Sequence, residues 1–260
     1  MTDAQALEAR SLTVRFGGVV ALLDASIGIP TNQISAVIGP NGAGKTTFFN
    51  AICGFVRPQS GEIHYQGRSL TGVSPNQLTA MGISRTLQGL GLWPGLTVLE
   101  NVMAGALRRG RPGMVSALLG LPRVDRDDGR ARQAARDVLT ELGIERYAQA
   151  YPGSLAYGVQ KWVALARALA CHPSVLLLDE PASGLAAGEI KELGERLRGW
   201  RATMTIALVE HRLDLVMAAS DRVTVLDFGQ VIAAGTPQEV QADPAVTAAY
   251  LGEELDPADA

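Results

Sequence analysis

Cysteine is nearly missing from this 260-residue chain: Cys53 and Cys171 stand alone, with no C-x-x-C pair. Two isolated thiols make no disulfide framework. His172 beside Cys171 lacks the further ligands of a zinc site, so both cysteines read as small buried apolar residues. Aromatics make up only 5% of the chain, and neither sign of charge dominates: 23 basic against 26 acidic residues leave a net charge of −3. That balance excludes a global basic field for nucleic acid. Long apolar runs are absent too. Segments such as 175–178 are far too short to span a bilayer, and Met1–Arg10 carries acids and no apolar stretch of the signal-peptide kind. The expectation is a protein made and kept in the cytosol.

What is present is apolar material in short, ordered runs. At 47% hydrophobic, the chain can fill one large core with a subdomain. Ile34–Ile38, Val175–Leu178 and Thr205–Val209 are rich in branched residues, and each is followed by polar residues and a helical pattern. They predict buried parallel strands of an α/β core. Gly61–Gly67, bounded by glycines, and Arg222–Ile232, with a turn near Asp227–Gly229, read as hairpins, so an antiparallel layer accompanies the core. From about Leu99 to Trp162 the pattern is helical. Ala131, Ala134, Ala135, Val138, Leu139 and Leu142 recur at one-face spacing and stop at Gly143. The stretch from Arg108 to Arg130 mixes Arg, Pro and Gly with Asp125, Asp127 and Asp128, and reads as a solvated connector. The predicted division is 1–88 and 166–252 for the core, 89–165 for an inserted helical subdomain, and 253–260 for a flexible tail.

Two motifs carry chemistry. Gly39, Pro40, Asn41, Gly42, Ala43, Gly44, Lys45 and Thr46 match G-x-x-x-x-G-K-[ST], between a predicted strand and a helix from Thr46 to Cys53. Its backbone N–H groups suit phosphate oxygens, Lys45 supplies a mobile charge for the β- and γ-phosphates, and the Thr46 hydroxyl suits Mg²⁺. A random chain of this length would match on the order of once in a hundred. The complement is Asp179 and Glu180 after the strand Val175–Leu178. Asp179 can orient Mg²⁺ through water, and Glu180 can polarise a water against the γ-phosphate. No N-K-x-D stretch exists to read guanine, which disfavours a GTPase.

With these motifs the sequence resembles the ATP-binding subunit of ABC transporters over residues 7 to 252, and most of all the branched-chain (hydrophobic) amino-acid importer ATPases. Further matching pieces are Arg15–Gly18, Gly82–Gln88, Leu96–Asn101, Leu155–Gly158, Leu178–Pro181, Glu210–His211 and Ala249–Gly252. The resemblance implies a P-loop (RecA-like) ATP-binding core with an antiparallel β layer and an inserted helical subdomain. It implies Phe16 stacking on adenine, Thr47 completing the phosphate loop, Gln88 reaching Mg²⁺ and the attacking water, and His211 steadying the γ-phosphate. His64 and His172 read as structural. Two subunits, alike or paralogous, are expected to pair head to tail around two Mg-ATP. Each then aims the helix start after Leu155, Ala156, Tyr157 and Gly158 at ATP held by its partner. Permease subunits, with loops docking near Gln88 and the helical subdomain, and indirectly an extracytoplasmic substrate-binding protein are the further implied partners. This would hold the chain on the inner face of the cell membrane. Leu90–Leu96, apolar yet turn-like, reads equally as the permease docking patch and as a stretch buried within its own subdomain.

Several positions depart from the family's commonest pattern, among them Tyr157 where its first glycine commonly sits. Ala156 stands where a serine is frequent, which removes a charge-assisted hydrogen bond worth about 1.5–3 kcal/mol where it forms. Val159 stands for a glutamine at the dimer face, and Ala186 for an aspartate in the loop after Glu180. Arg212 also replaces an acid frequent after the histidine. Leu-Ala-Tyr-Gly itself resembles the branched-chain variant. Val159 and Ala186 keep open a non-hydrolytic ATP-binding partner in a heterodimer, against which stand Glu180 and His211. A soluble ABC-type ATPase acting on ribosomes or DNA would carry two cassettes or a long coiled coil, and a P-loop kinase would lack the signature helix. The transported solute is not written in this chain.

Overall fold

The computed structural model describes residues 4–86, 89–106 and 122–253, so Gln88, residues 108–121 of the expected connector, and 254–260 of the expected tail lie outside the described residues. Along the chain come β1 (Gln5–Phe16), β2 (Val19–Pro30), β3 (Ile34–Ile38), α1 (Lys45–Ile52), β4 (Ser60–Tyr65), β5 (Arg68–Ser69), α2 (Pro75–Ala80), β6 (Ile83–Arg85), α3 (Val98–Ala106) and α4 (Pro122–Glu141). Next are α5 (Tyr157–Leu169), β7 (Val175–Asp179), α6 (Ala187–Trp200), β8 (Thr205–Val209), α7 (Leu213–Ala219), β9 (Arg222–Asp227), β10 (Gln230–Gly235), α8 (Pro237–Gln241) and α9 (Pro244–Glu253). Two compact units emerge: Met1–Pro75 with Leu177–Ser183 and Ala187–Ala260, and Asn76–Leu176 with Gly184–Ala186.

The first unit holds an antiparallel sheet, ordered β2-β1-β4-β5, and the parallel run β9-β3-β8-β7 with β10 antiparallel at its edge. In β1 the inward side chains are Leu7 and Ala9, then Leu12 and Val14. The alternation changes phase because the ladder with β2 shifts register between Ala9 and Leu12, where Ser11 adopts φ 49°. Strand β4 pairs along β1 from Leu7↔Tyr65 to Thr13↔Ser60. The expected Gly61–Gly67 hairpin is therefore one strand, whose turn at Gln66–Gly67 returns only into the two-residue β5.

Strands β3 and β8 are buried at every position, Ser35 and Thr205 included, as suits short runs rich in branched residues. Each large apolar side chain withdrawn there contributes about 1.5–3 kcal/mol. Helices α6 and α7 pack on each other and bury Ile190, Leu193, Leu197, Leu215 and Val216.

The second unit is a helical packing of α3, α4 and α5, with Val98, Leu99, Val102, Ala135, Val138, Leu139, Trp162, Val163 and Ala166 buried. The predicted insertion 89–165 falls within its bounds, which also take in 76–88, 166–176 and 184–186. Residues 122–130, read as connector, belong to α4, whose first residue is Pro122. Proline suits that position because its missing N–H would have no helical partner there. Within this unit Gly82 carbonyl oxygen accepts from the amides of Ser174 (2.8 Å) and Val175 (3.1 Å), tying β6 to the start of β7. Cys53 is buried and forms no disulfide; Cys171 is only half-buried, against expectation, with Sγ 3.3 Å from Ala168 carbonyl oxygen.

Candidate nucleotide site

Three neighbouring parallel strands deliver the chemistry to one edge. β3 and β8 run in register up to Val37↔Val209, and β7 lies on the other side of β8. Beyond the last rungs, Glu210 N–H donates to Val37 carbonyl oxygen (3.4 Å) and Glu180 N–H donates to Val209 carbonyl oxygen (2.9 Å). The loop starting at Gly39, the pair Asp179–Glu180 and the pair Glu210–His211 therefore leave the sheet side by side. This carboxyl edge is where open α/β sheets bind ligands.

The phosphate loop is shaped by what crowds it. Gly39 has φ 149°, and a Cβ there would lie 2.0 Å from Leu226 carbonyl oxygen. No side chain fits against the end of β9 at that distance. Gly229, in the β9–β10 turn, donates its N–H to Ala43 carbonyl oxygen (3.1 Å) and accepts from Leu23 N–H (2.9 Å), so strand β2 and this turn brace the loop from outside. Lys45 is buried, and its Nζ donates to the carbonyls of Gly39 and Pro40, both at 2.7 Å. Helix α1 starts after Gly44 with no side-chain cap and no acid in its first turn, which leaves its partial positive charge uncompensated by side chains. Thr46 and Thr47 are partly exposed in that turn.

Asp179 is buried at the end of β7, and Glu180 is partly exposed with φ 47°. A left-handed glutamate is a strained backbone, of a kind that clusters at functional sites. It is held by its own amide bond to Val209 and by Ser183 N–H donating to its carbonyl oxygen (3.2 Å). The Thr46 hydroxyl and the Asp179 carboxylate are hard oxygen donors of the type Mg²⁺ takes.

Glu210 organises the turn beyond β8, a role that sequence reading missed although the residue stands in the matching Glu210–His211 piece. Its side chain is 0% exposed. Oε1 accepts from Ala182 N–H (2.7 Å), while Oε2 accepts from His211 N–H (2.9 Å) and Arg212 N–H (3.0 Å). One buried carboxylate thus fastens the loop after Glu180 to the turn carrying His211. The imidazole of His211 stays 54% exposed, its Nδ1 3.8 Å from Glu210 Oε2. The signal was available: an acid directly after four apolar strand residues must find donors once buried. Phe16 stands 51% exposed at the tip of the β1–β2 hairpin. All these residues lie in the first unit.

Leu155, Ala156, Tyr157 and Gly158 lie in the second unit. Ala156 is extended (φ −59°, ψ 149°) and α5 begins at Tyr157 with no side-chain cap and no first-turn acid. Gln160 Nε2 donates to Leu155 carbonyl oxygen (2.9 Å) and braces the turn from within, another residue that sequence reading passed over. At the other end of α5, the half-buried guanidinium of Arg167 donates to the carbonyls of Gly91 (2.5 Å) and Leu90 (3.3 Å) and lies 5.1 Å from the Trp93 ring centroid. Burial pulls its pKa below the ordinary arginine value. Asn101, fully buried, accepts from Trp93 N–H and donates to the carbonyls of Trp93, Leu96 and Thr97. The loop Leu90–Leu96 is therefore pinned at the backbone while Trp93 remains 46% exposed.

The sequence profile described as "ABC transporter" matches residues 22–183, more than half of the chain. The chain belongs to the ABC transporter ATP-binding family. A second profile, described as "Branched-chain amino acid ATP-binding cassette transporter", matches residues 230–256 of this ABC ATPase. The chain is 40% identical over 250 residues to the high-affinity branched-chain amino acid transport ATP-binding protein LivG of Salmonella typhimurium, covering 95% of this chain and 98% of that one. Among solved structures, an ATP-binding cassette of an ABC transporter in its ADP conformation is similar with TM-score 0.83 and 30% identity, covering 96% of this chain and 99% of that one. A bacterial ABC transporter cassette solved as a dimer is similar with TM-score 0.76 and 25% identity, covering 89% and 98%. ABC ATPases of transporters bind nucleotide and hydrolyse ATP, and the α/β P-loop fold expected from sequence is the one observed. Among the described residues no helix is long and apolar enough to cross a membrane.

Proposed function

We propose that this ABC ATPase drives an importer by pairing head to tail with a second ATPase subunit, itself or a relative, around two Mg-ATP. The amides of Gly39–Thr47 and the Lys45 ammonium hold the β- and γ-phosphates, and Phe16 stacks on adenine. The backbone N–H groups at Ala156–Gly158 meet the γ-phosphate of ATP bound by the other subunit. In hydrolysis a water oxygen bonds to the γ-phosphorus as the bond from that phosphorus to the bridging oxygen breaks, giving ADP and phosphate. Glu180 takes the water's proton, His211 hydrogen-bonds the γ-phosphate, and Gln88 helps orient the water. Thr46, Asp179 and Gln88 would hold Mg²⁺, which neutralises charge on the phosphate oxygens.

The observation that carries this reading is the acid-free, uncapped start of α5, in a unit separate from the phosphate loop. A helix end built for an anion but placed on other elements fits a γ-phosphate presented by a second chain, and the likeness to a cassette solved as a dimer supports that pairing. The likeness to LivG supports branched-chain or other small amino acids, or amides, as solutes. Permease loops would dock beside Gln88 and the exposed Trp93 on the inner membrane face, with a substrate-binding protein outside. Loss of the shared phosphate then loosens the pair and moves the permease.

The test is Glu180→Gln. The variant should bind Mg-ATP, hydrolyse at least about a hundredfold more slowly, and sediment as a dimer only with ATP. Hydrolysis at the parental rate would refute Glu180 as the general base.

A further inference from the structure

The loop after Glu180 divides between the two units. Leu177–Ser183 belongs to the first and Ala187 resumes it, but Gly184–Ala186 belongs with the second. Within that second unit Gly184 packs against Tyr157. Gly184 has φ 75°, and a Cβ on it would lie 2.6 Å from Tyr157 Cε1, 3.2 Å from Cδ1 and 3.4 Å from Cζ. The tyrosine ring occupies the place where a side chain at 184 would be. It remains 46% exposed on its other side, with Lys161 Nζ 5.9 Å from its centroid. Where the family more often has glycine, this chain has an aromatic that touches the bare backbone of its own catalytic loop.

We infer that Tyr157 is a positioning residue, clasping Gly184 so that the loop after Glu180 follows the helix start that meets the partner's nucleotide. The inference rests on the paired arrangement proposed above. Glu180 lies four residues before Gly184, its carbonyl oxygen holding Ser183 N–H and its backbone already left-handed. With so little slack, displacement of Gly184 reaches the Glu180 carboxylate through three residues. The ring contact at Gly184 is a direct means by which this loop registers the signature turn. Engagement of α5 by one nucleotide thereby orients the general base of the same chain.

Two measurements on the full chain test this. First, amide hydrogen exchange without nucleotide or partner should rise across residues 181–187 in Tyr157→Ala and stay at the parental level in Tyr157→Phe, which keeps the ring. Because no partner is needed, this readout stands or falls apart from the pairing. Second, kcat for ATP should fall by about ten- to a hundredfold in Tyr157→Ala, with the KM nearly unchanged, and recover in Tyr157→Phe. Gly184→Ala should show a similar loss, and the double variant should be far less impaired than the product of the two. Unchanged exchange in Tyr157→Ala, or multiplicative losses in the double variant, would overturn the clasp.

Discussion

Removing the Glu210 carboxylate should loosen the site and the fold together. The side chain is wholly buried and receives three backbone amides, of Ala182, His211 and Arg212, at 2.7 to 3.0 Å. In Glu210→Ala the amide of Ala182, itself a buried residue, is left without an acceptor, at about 1–3 kcal/mol. The amides of His211 and Arg212 lie nearer to water and recover part of their bonding, adding about 1 kcal/mol each. Against this stands relief from burying a charge, and mutants that break buried charged pairings lose about 3–5 kcal/mol in all. We therefore expect Glu210→Ala to lose about 3–4 kcal/mol, and Glu210→Gln, which keeps one acceptor oxygen, about half as much. Urea unfolding followed by far-ultraviolet circular dichroism reads the difference. ATP hydrolysis in the cold, where the variants stay folded, should fall as well, because the loop after Glu180 and the turn of His211 lose their shared anchor. An Ala variant within about 1 kcal/mol of the parent would show that the three amides do not depend on this carboxylate.

Two further outcomes come from the geometry. Arg167→Leu should free the Leu90–Leu96 loop, destabilising the protein by about 1–3 kcal/mol, and Arg167→Lys should rescue little because a single ammonium cannot fork to two carbonyls and stack on Trp93; urea unfolding and tryptophan fluorescence check both. Glu239, in the Thr236 capping box of α8, has its carboxyl pKa held down, chiefly by the Thr236 amide and then by its hydroxyl. A depressed folded pKa means this contribution is present above the ordinary carboxylate range and is lost as pH falls through the lowered value. Glu239→Gln should therefore lower stability at neutral pH and make its acid limb shallower, measured by thermal unfolding from about pH 7 down to about pH 3.

The parallel strands were legible because burial on both faces demands short, mainly apolar runs rich in branched residues, and Ile34–Ile38, Val175–Leu178 and Thr205–Val209 have that composition. The antiparallel layer was legible only in kind. In β1 the shift between Ala9 and Leu12 scrambles the alternation that would announce a strand, and the partner of Ser60–Tyr65 lies some fifty residues earlier. The phosphate loop, Asp179 and Glu180 could be read as chemistry because their residue types are tied to phosphate and metal. Glu210, Gln160 and Arg167 could not, since their work is done on backbone groups that only the folded chain brings near. The apolar stretch Leu90–Leu96 looked equally fit for burial or docking; Asn101 and Arg167 settle its backbone, and Trp93 stays partly in solvent. The contact between the Tyr157 ring and Gly184, 27 residues apart in sequence, is likewise announced by no pattern in the chain.

Head-to-tail sharing of ATP is tested most directly by mixing two crippled chains. Lys45→Ala loses the phosphate loop but keeps the signature turn, and Gly158→Asp, with a carboxylate at the start of α5, does the reverse. Each alone should be nearly inactive, and an equimolar mixture should regain ATP hydrolysis from sites built of one good half from each. A mixture no more active than its components would contradict the shared site.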